Sequence, residues 1–272
     1  MALTINPAGQ TTGGEFDYYG KRYAAYNKSI QIFAVSNETS SHLFTIETEN
    51  QAITSIAWSD PSNGDFIASI SGNTLTIYKE VQLNSWDQVY QNRDHKGALT
   101  SLSWAPEHLG LHLLVSSLDK TISIFSYTSS SEWKKSTHLV HSQGVLSASW
   151  LYHDTIKTFL TQGESLKVWE YHSHNLTLAH QIFETFADVK ACPSNSLIAG
   201  CTLTKLVIFD KSEGYERIEV QVGGNYVQWS AYGTILLLGS EQGVRVLRRV
   251  PNEQVTWEVV ECIGEEGEFK PV

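Results

Sequence analysis

The feature that most restricts how this 272-residue chain can fold is a short pattern that recurs six times along it. Two aliphatic residues, one position apart, are followed by a bulky apolar residue. Successive copies lie 38 to 47 residues apart. Because side chains alternate in direction along a strand, this two-residue period predicts a β-strand in every repeat. The copies are Ile30-x-Ile32-Phe33, Leu75-x-Ile77-Tyr78, Ile122-x-Ile124-Phe125, Leu166-x-Val168-Trp169, Leu206-x-Ile208-Phe209 and Val244-x-Val246-Leu247.

A tryptophan marker follows the same spacing. Trp58, Trp104 and Trp150 each end a strand-like run, and Trp229 ends the corresponding run in the sixth repeat, whereas the fifth repeat has only Val189–Pro193. Further apolar runs bring each repeat to four short strands. A helical solenoid would need a period of 3.6 residues, and β-branched and aromatic residues dominate here instead. Four strands in about 40–45 residues, repeated six times, predict an all-β, six-bladed β-propeller.

The propeller is predicted to form a single domain over residues 1–262, followed by an acidic tail at 263–272. The last repeat supplies its own outer strand at 256–260, and the first begins at its inner strand near Phe16. No blade therefore lacks a strand that the other end of the chain would complete. We expect an open ring whose seam can receive an incoming chain. The blades are expected at about 13–48, 49–92, 93–139, 140–184, 185–222 and 223–262.

Composition excludes several classes of partner and location. The net charge of −10 disfavours direct binding to nucleic acid or to an anionic membrane surface. Three scattered cysteines are too few for a disulfide framework or a zinc site. There is no apolar run of about 20 residues and no basic segment ahead of an apolar one near the N-terminus, so we expect a cytoplasmic location.

A search for catalytic or ligand-binding motifs yields no candidate. Residues 11–14 (TTGG) lack the lysine and the spacing of a phosphate-binding loop. The pair His172 and His174 has no cysteine or carboxylate at metal-ligand spacing. His153 and Asp154 are interpreted as a polar turn. We therefore expect a non-enzymatic protein with no cofactor and no metal.

Other polar and aromatic residues recur at fixed places in the repeat and are interpreted as structural. His95 and His141 begin the third and fourth repeats, each shortly before a glycine. A residue that recurs at one repeat position suggests a bond within its own blade. The predicted structural residues are Trp58, Trp104, Trp150, Trp169, His95 and His141.

Several segments resemble one family. Residues 16–22 (FDYYGKR) with 30–35 (IQIFAV) are similar to the first blade of the Sec-thirteen family of WD-repeat propellers. The similarity continues at 99–110 (LTSLSWAPEHLG) and 144–150 (GVLSASW) and covers nearly the full chain. The fifth repeat departs from the family pattern because it lacks its tryptophan. The sister propeller, Seh-one, shares much of the first-blade motif and stays open as an alternative.

The resemblance implies a non-enzymatic scaffold subunit of the COPII vesicle outer coat (ER-to-Golgi transport) and of the nuclear-pore Y complex. It implies an open propeller completed in trans by a blade from a helical-solenoid partner, either a Sec-thirty-one-type coat rod or a Y-complex nucleoporin. The protein would then work in a heteromeric assembly at ER exit sites, COPII vesicles and the nuclear envelope, and would meet membrane only through the coat.

Candidate partner contacts lie on the terminal blades. For Phe16 and Trp229, ordinary core packing is the competing interpretation. Two other functions remain open: a self-closed WD-repeat adaptor that binds peptides, and a propeller enzyme. The candidate contact residues are Phe16, Tyr18, Tyr19, Tyr226, Val227 and Trp229.

Overall fold

The computed structural model describes residues 5–36, 39–48, 52–128, 132–152, 157–172, 175–230, 232–250 and 256–263. The chain groups into two compact units, Met1–Ala148 and Ser149–Val272. His153, Asp154, His174 and all of the predicted acidic tail beyond residue 263 lie outside the described residues. The single domain over 1–262 and its blade limits stay predictions.

The first unit contains three four-stranded sheets, each with its strands in chain order. Sheet 1 consists of β1 (Gly13–Phe16), β2 (Arg22–Tyr26), β3 (Ser29–Val35) and β4 (Ser40–Glu47). Sheet 2 consists of β5 (Ser55–Trp58), β6 (Phe66–Ser71), β7 (Thr74–Gln82) and β8 (Ser85–Asn92). Sheet 3 consists of β9 (Leu99–Trp104), β10 (His112–Ser117), β11 (Thr121–Tyr127) and β12 (Trp133–Leu139). Two 3-10 helices of three residues follow β5 and β9, at Pro61–Asn63 and Glu107–Leu109.

Three further sheets follow, and the boundary of the second unit falls within the first strand of sheet 4. Sheet 4 consists of β13 (Ser147–Trp150), β14 (Thr158–Gln162), β15 (Leu166–His172) and β16 (Asn175–Ile182). Sheet 5 consists of β17 (Asp188–Ala191), β18 (Leu197–Cys201), β19 (Leu206–Asp210) and β20 (Glu216–Val220). Sheet 6 consists of β21 (Tyr226–Trp229), β22 (Ile235–Ser240), β23 (Gly243–Val250) and β24 (Thr256–Ile263).

Within each unit the core lies between the faces of neighbouring sheets. In the first unit, Phe66 and Leu75 of sheet 2 pack with Trp104 and Leu113 of sheet 3. The second strand of a sheet is buried on both faces when neighbours cover both, and all five residues of β18 are buried. This strand carries a continuous apolar run. The expected all-β class with six four-stranded repeats is confirmed.

No helix in the described parts of the chain is long and apolar enough to cross a bilayer.

Candidate protein-interaction surface

In three sheets, the tryptophan that ends the first strand bonds to the preceding sheet. Trp58 donates its indole N–H to the carbonyl of Glu15 at 3.2 Å. Trp104 donates to Ala57 at 3.0 Å. In the second unit, Trp229 donates to Lys190 at 2.9 Å. Each bond joins the first strands of neighbouring sheets, so these residues fix the spacing between sheets.

Trp150 ends β13, the equivalent place in sheet 4, whereas Trp169 and His141 occupy other positions. Trp150 is fully buried, with its ring centroid 5.4 Å from that of Phe159. Trp169 is half-buried in β15 and donates its indole N–H to the hydroxyl of Thr161 at 2.8 Å. His141 is buried in the loop before β13.

His95 is the centre of a buried polar network in sheet 3. Its Nδ1 lies 2.9 Å from Oδ2 of Asp119, and its Nε2 lies 2.7 Å from Oγ of Ser123. An aspartate, a histidine and a serine are thus linked in the order used by some hydrolases. Ser123 is fully buried, however, so its hydroxyl cannot reach a substrate. The network holds the turn before β11 against the loop at residue 95.

The same network shifts the acidity of Asp119. Burial acts to raise its pKa, but hydrogen bonds from the Thr121 hydroxyl, from His95 and from the backbone N–H of Lys96 outweigh burial. The pKa of Asp119 therefore lies well below its ordinary value, and the carboxylate stays charged.

Arg22 joins sheet 1 to sheet 2. Its guanidinium contacts Asp17 at 3.3 Å, Asp65 at 3.0 Å and Glu80 at 2.7 Å. It also lies over the indole of Trp58, with 5.0 Å between its central carbon and the ring centroid. Burial raises the pKa of Asp65, and the nearby Arg22 offsets this only in part. The sequence did not point to this cluster, because its members lie up to 63 residues apart.

The predicted contact residues of the first sheet are exposed. Phe16, at the end of β1, is 45% exposed and packs against the ring of Tyr23. Tyr18 and Tyr19 lie in the turn after β1 and meet edge to face at 5.2 Å. All three are accessible to a partner, and their role as contacts stays a prediction.

The predicted contacts of sheet 6 divide between its two faces. Tyr226 is 50% exposed. Val227 and Trp229 are buried in a cluster with sheet 5, so their prediction as surface contacts needs correction. The physical reason is local: Val227 and Trp229 are two positions apart and share the face that packs on sheet 5, whereas Tyr226 lies on the opposite face.

That opposite face of sheet 6 is only partly covered, and it carries apolar residues at its centre beside the polar Gln228, Arg248 and Glu261. In β22 the buried residues Leu236 and Leu238 alternate with Ile235, which is 37% exposed, and with the half-buried Leu237. Cross-strand pairing places Val246 opposite Leu237, and Val244 opposite Ile263, which is 54% exposed. We call this surface the sheet-six apolar face; its members are Tyr226, Ile235, Leu237, Val244, Val246 and Ile263.

Sequence reasoning missed most of this face. The run Ile235–Leu238 resembles the run of β18, which is covered on both sides. The signal was the run of four apolar residues, Ile235–Leu238, in the second strand of the last repeat, because such a run places apolar side chains on both faces. The described residues provide full cover on one.

No group of three or more His, Cys, Asp or Glu residues is arranged to hold a metal ion within the described ranges.

Comparisons with known proteins agree with the resemblance noted from the motifs. No protein-family model matches the chain. The chain is 27% identical over 291 residues to protein transport protein sec13 of Aspergillus fumigatus, which spans 92% of this chain and 94% of that relative. The resemblance to the SEC13 family is confirmed.

Other comparisons place this SEC13-like chain more broadly. Nucleoporin SEH1 of Saccharomyces cerevisiae is 29% identical over 109 residues, covering 36% of this chain and 31% of that protein. A chain in the crystal structure of the mitotic checkpoint complex matches with a TM-score of 0.70 at 15% identity, covering 92% of this chain and 74% of that one. At that identity the structural match shows the fold alone.

Proposed function

We propose that this chain is a non-enzymatic scaffold subunit whose sheet-six apolar face is covered by strands from a partner protein. The observation that carries the proposal is the contrast between β18, buried on both faces, and β22, buried on one. Burial of apolar surface lowers the free energy by about 25 cal/mol for each Å² removed from water. This face therefore favours a permanent partner.

The relatives suggest which assemblies use the chain. SEC13 relatives are named protein transport proteins, and SEH1 is named a nucleoporin. We accordingly propose membership of the COPII outer coat and of the nuclear-pore Y complex, with a helical-solenoid partner of the Sec-thirty-one or nucleoporin type. The chain would then lie at ER exit sites, on COPII vesicles and at the nuclear envelope. A Seh-one-like role at the pore alone is the second candidate, favoured by the SEH1 similarity.

The pairing register of β22 and β23 supports a specific contact surface for the proposed partner. Leu237 and Val246 are directly paired at the centre of the sheet-six apolar face. A strand donated by the partner would lie against them, and Tyr226 and Ile263 would lie at its margins. Because the surface is apolar, the complex should resist salt, which screens only charge–charge contacts.

Isolation of the tagged chain from native extract tests the proposal. The wild type should retain one large helical protein through a wash with about 0.5 M salt. At that ionic strength the Debye length is roughly 4 Å, so surface ion pairs are largely screened. Val246→Lys should lose that protein, since it places a charge in the apolar contact. Val89→Lys, at an exposed position of β8 outside this face, is the matched control.

Retention of the same partner by Val246→Lys would contradict the assigned surface. Recovery of only small, salt-labile ligands by the wild type would favour a self-closed peptide-binding adaptor and contradict the scaffold.

A further inference from the structure

Residues 8–12 are tethered to sheet 1 by specific hydrogen bonds. The backbone N–H of Ala8 donates to Oε1 of Gln31 at 2.8 Å, and Nε2 of Gln31 donates to the carbonyl of Ala8, also at 2.8 Å. Asn27 donates its side-chain amide to the carbonyl of Gln10 at 2.8 Å. The N–H of Thr12 donates to the carbonyl of Tyr26 at 2.8 Å.

The register shows which face of sheet 1 the Ala8 contact lies on. Ile30 and Ile32 point toward sheet 2 and belong to the core shared with it. Gln31, between them in β3, points to the opposite face. Its neighbours in register are Ala25, then Gly14 of β1. We call this surface the Gln31 face. It also carries Phe16, Tyr23 and Phe33, which are paired across the three strands.

The Gln31 amide recognises main chain, not a particular side chain. One residue offers both its N–H and its carbonyl to a single side-chain amide, as two residues do across one rung of an antiparallel ladder. The methyl group of Ala8 takes no part in either bond. Any extended segment that presents a small residue at this point can make the same pair of bonds.

The segment that forms these hydrogen bonds is mostly exposed to water. Ala8 through Thr12 are exposed, whereas Ile5 and Pro7 are half-buried. Gly9 has φ of +85°, a conformation that other residues adopt only with strain, so the reversal there depends on glycine. Exposed hydrogen bonds contribute little net stability because water replaces them readily.

We propose that the Gln31 face is a binding surface for an extended peptide segment, and that the chain's own residues 5–12 occupy it until a partner's segment displaces them. This rests on the proposed function for the identity of the displacing segment, which would be an extended strand of the scaffold partner. The binding of residues 5–12 themselves does not depend on that identity.

A labelled synthetic peptide of residues 1–12 tests the surface in trans. It should bind a chain lacking residues 2–9 and should not bind the full chain, where the site is already filled. Gln31→Ala in the shortened chain should weaken peptide binding about tenfold, because two hydrogen bonds are lost. Gln88→Ala, an exposed glutamine of β8, should leave it unchanged.

Hydrogen exchange of the full chain gives a second measurement. Gln31→Ala and Gly9→Ala should both speed exchange within residues 5–12, the first by removing the bonds and the second by straining the turn. Circular dichroism of both variants checks that the sheets are intact. Equal peptide binding by the full and shortened chains, no binding by the shortened chain, or no effect of Gln31→Ala would overturn the proposal.

Association with the partner recovered from native extract tests the displacement. The shortened chain should associate several-fold faster than the full chain, and an equal rate would overturn the competition. If no helical partner exists, the proposed function fails, whereas peptide binding by the shortened chain would still establish the surface.

Discussion

At three places, the indole N–H of a tryptophan at the end of a first strand donates to a backbone carbonyl of the preceding sheet. The edge of each sheet's first strand carries carbonyl groups that need donors. Trp58, Trp104 and Trp229 each supply one to the preceding sheet while filling the space between sheets. In sheet 5, Cys192 stands near the equivalent place and is buried, but its thiol offers no comparable donor.

Replacing Trp104 measures what this arrangement contributes. Trp104→Ala should lower the free energy of unfolding by about 3–5 kcal/mol, since it leaves a cavity and an unpaired carbonyl at Ala57. Trp104→Phe keeps most of the ring and should lose less, about 1–2 kcal/mol. Urea denaturation of both variants gives the comparison. Equal losses would mean that packing of the ring contributes little.

Asp119 should make stability depend on pH. Its pKa is lowered in the folded state, so its charge stabilises the fold above the ordinary value of about 3.9, and this stabilisation is lost as the pH falls. Asp119→Asn cannot titrate. The difference in unfolding free energy between wild type and variant should therefore be larger at pH 6 than at pH 3. A constant difference would contradict the assigned shift.

At the scale of strands and sheets, the two-residue period was sufficient to predict six sheets of four strands. The same alternation could not reveal which face of a strand is covered when four consecutive residues are apolar, as in β22. It also misassigned Val227 and Trp229, because a sequence does not say which side of an end sheet meets its neighbour. The Arg22 cluster depends on contacts between sheets, which no local pattern records.

That cluster predicts how firmly sheets 1 and 2 are joined. Arg22→Met keeps the apolar stem but leaves the carboxylates of Asp17, Asp65 and Glu80 without their shared cation. We expect a loss of about 2–3 kcal/mol at pH 7, because uncompensated charge near the core is unfavourable. Lys21→Met, at an exposed neighbour, should change stability by less than about 0.5 kcal/mol.

The effect should shrink in mild acid. Burial already raises the pKa of Asp65, and removal of Arg22 raises it further. A carboxyl with a raised folded pKa regains stability as the pH falls toward that value, since protonation removes the buried charge. Thermal unfolding at pH 5 and pH 7 measures this. An Arg22→Met deficit that is the same at pH 5 and pH 7 would show that Arg22 acts through packing instead.

For the molecule as a whole, a net charge of −10 and the sheet-six apolar face together favour protein partners. Binding should stabilise the fold by mass action. A partner at 100 times its dissociation constant adds about 2.7 kcal/mol, which corresponds to roughly 5 °C in Tm for a chain of this size. Differential scanning calorimetry with and without the partner should show this for the wild type. Val246→Lys should show no shift, and an equal shift would contradict the assigned contact.

The sheet-six apolar face also has a consequence for how much of this chain a cell should make relative to the proposed partner. A cell that makes this chain in excess of the proposed partner would carry molecules with exposed Ile235 and Ile263, the kind of surface that chaperones and degradation factors recognise. The abundance of the chain should therefore track that of its partner, with orphan copies removed. Because β22 is apolar on both faces and fully covered on only one, synthesis of this chain should be matched to that of the proposed partner.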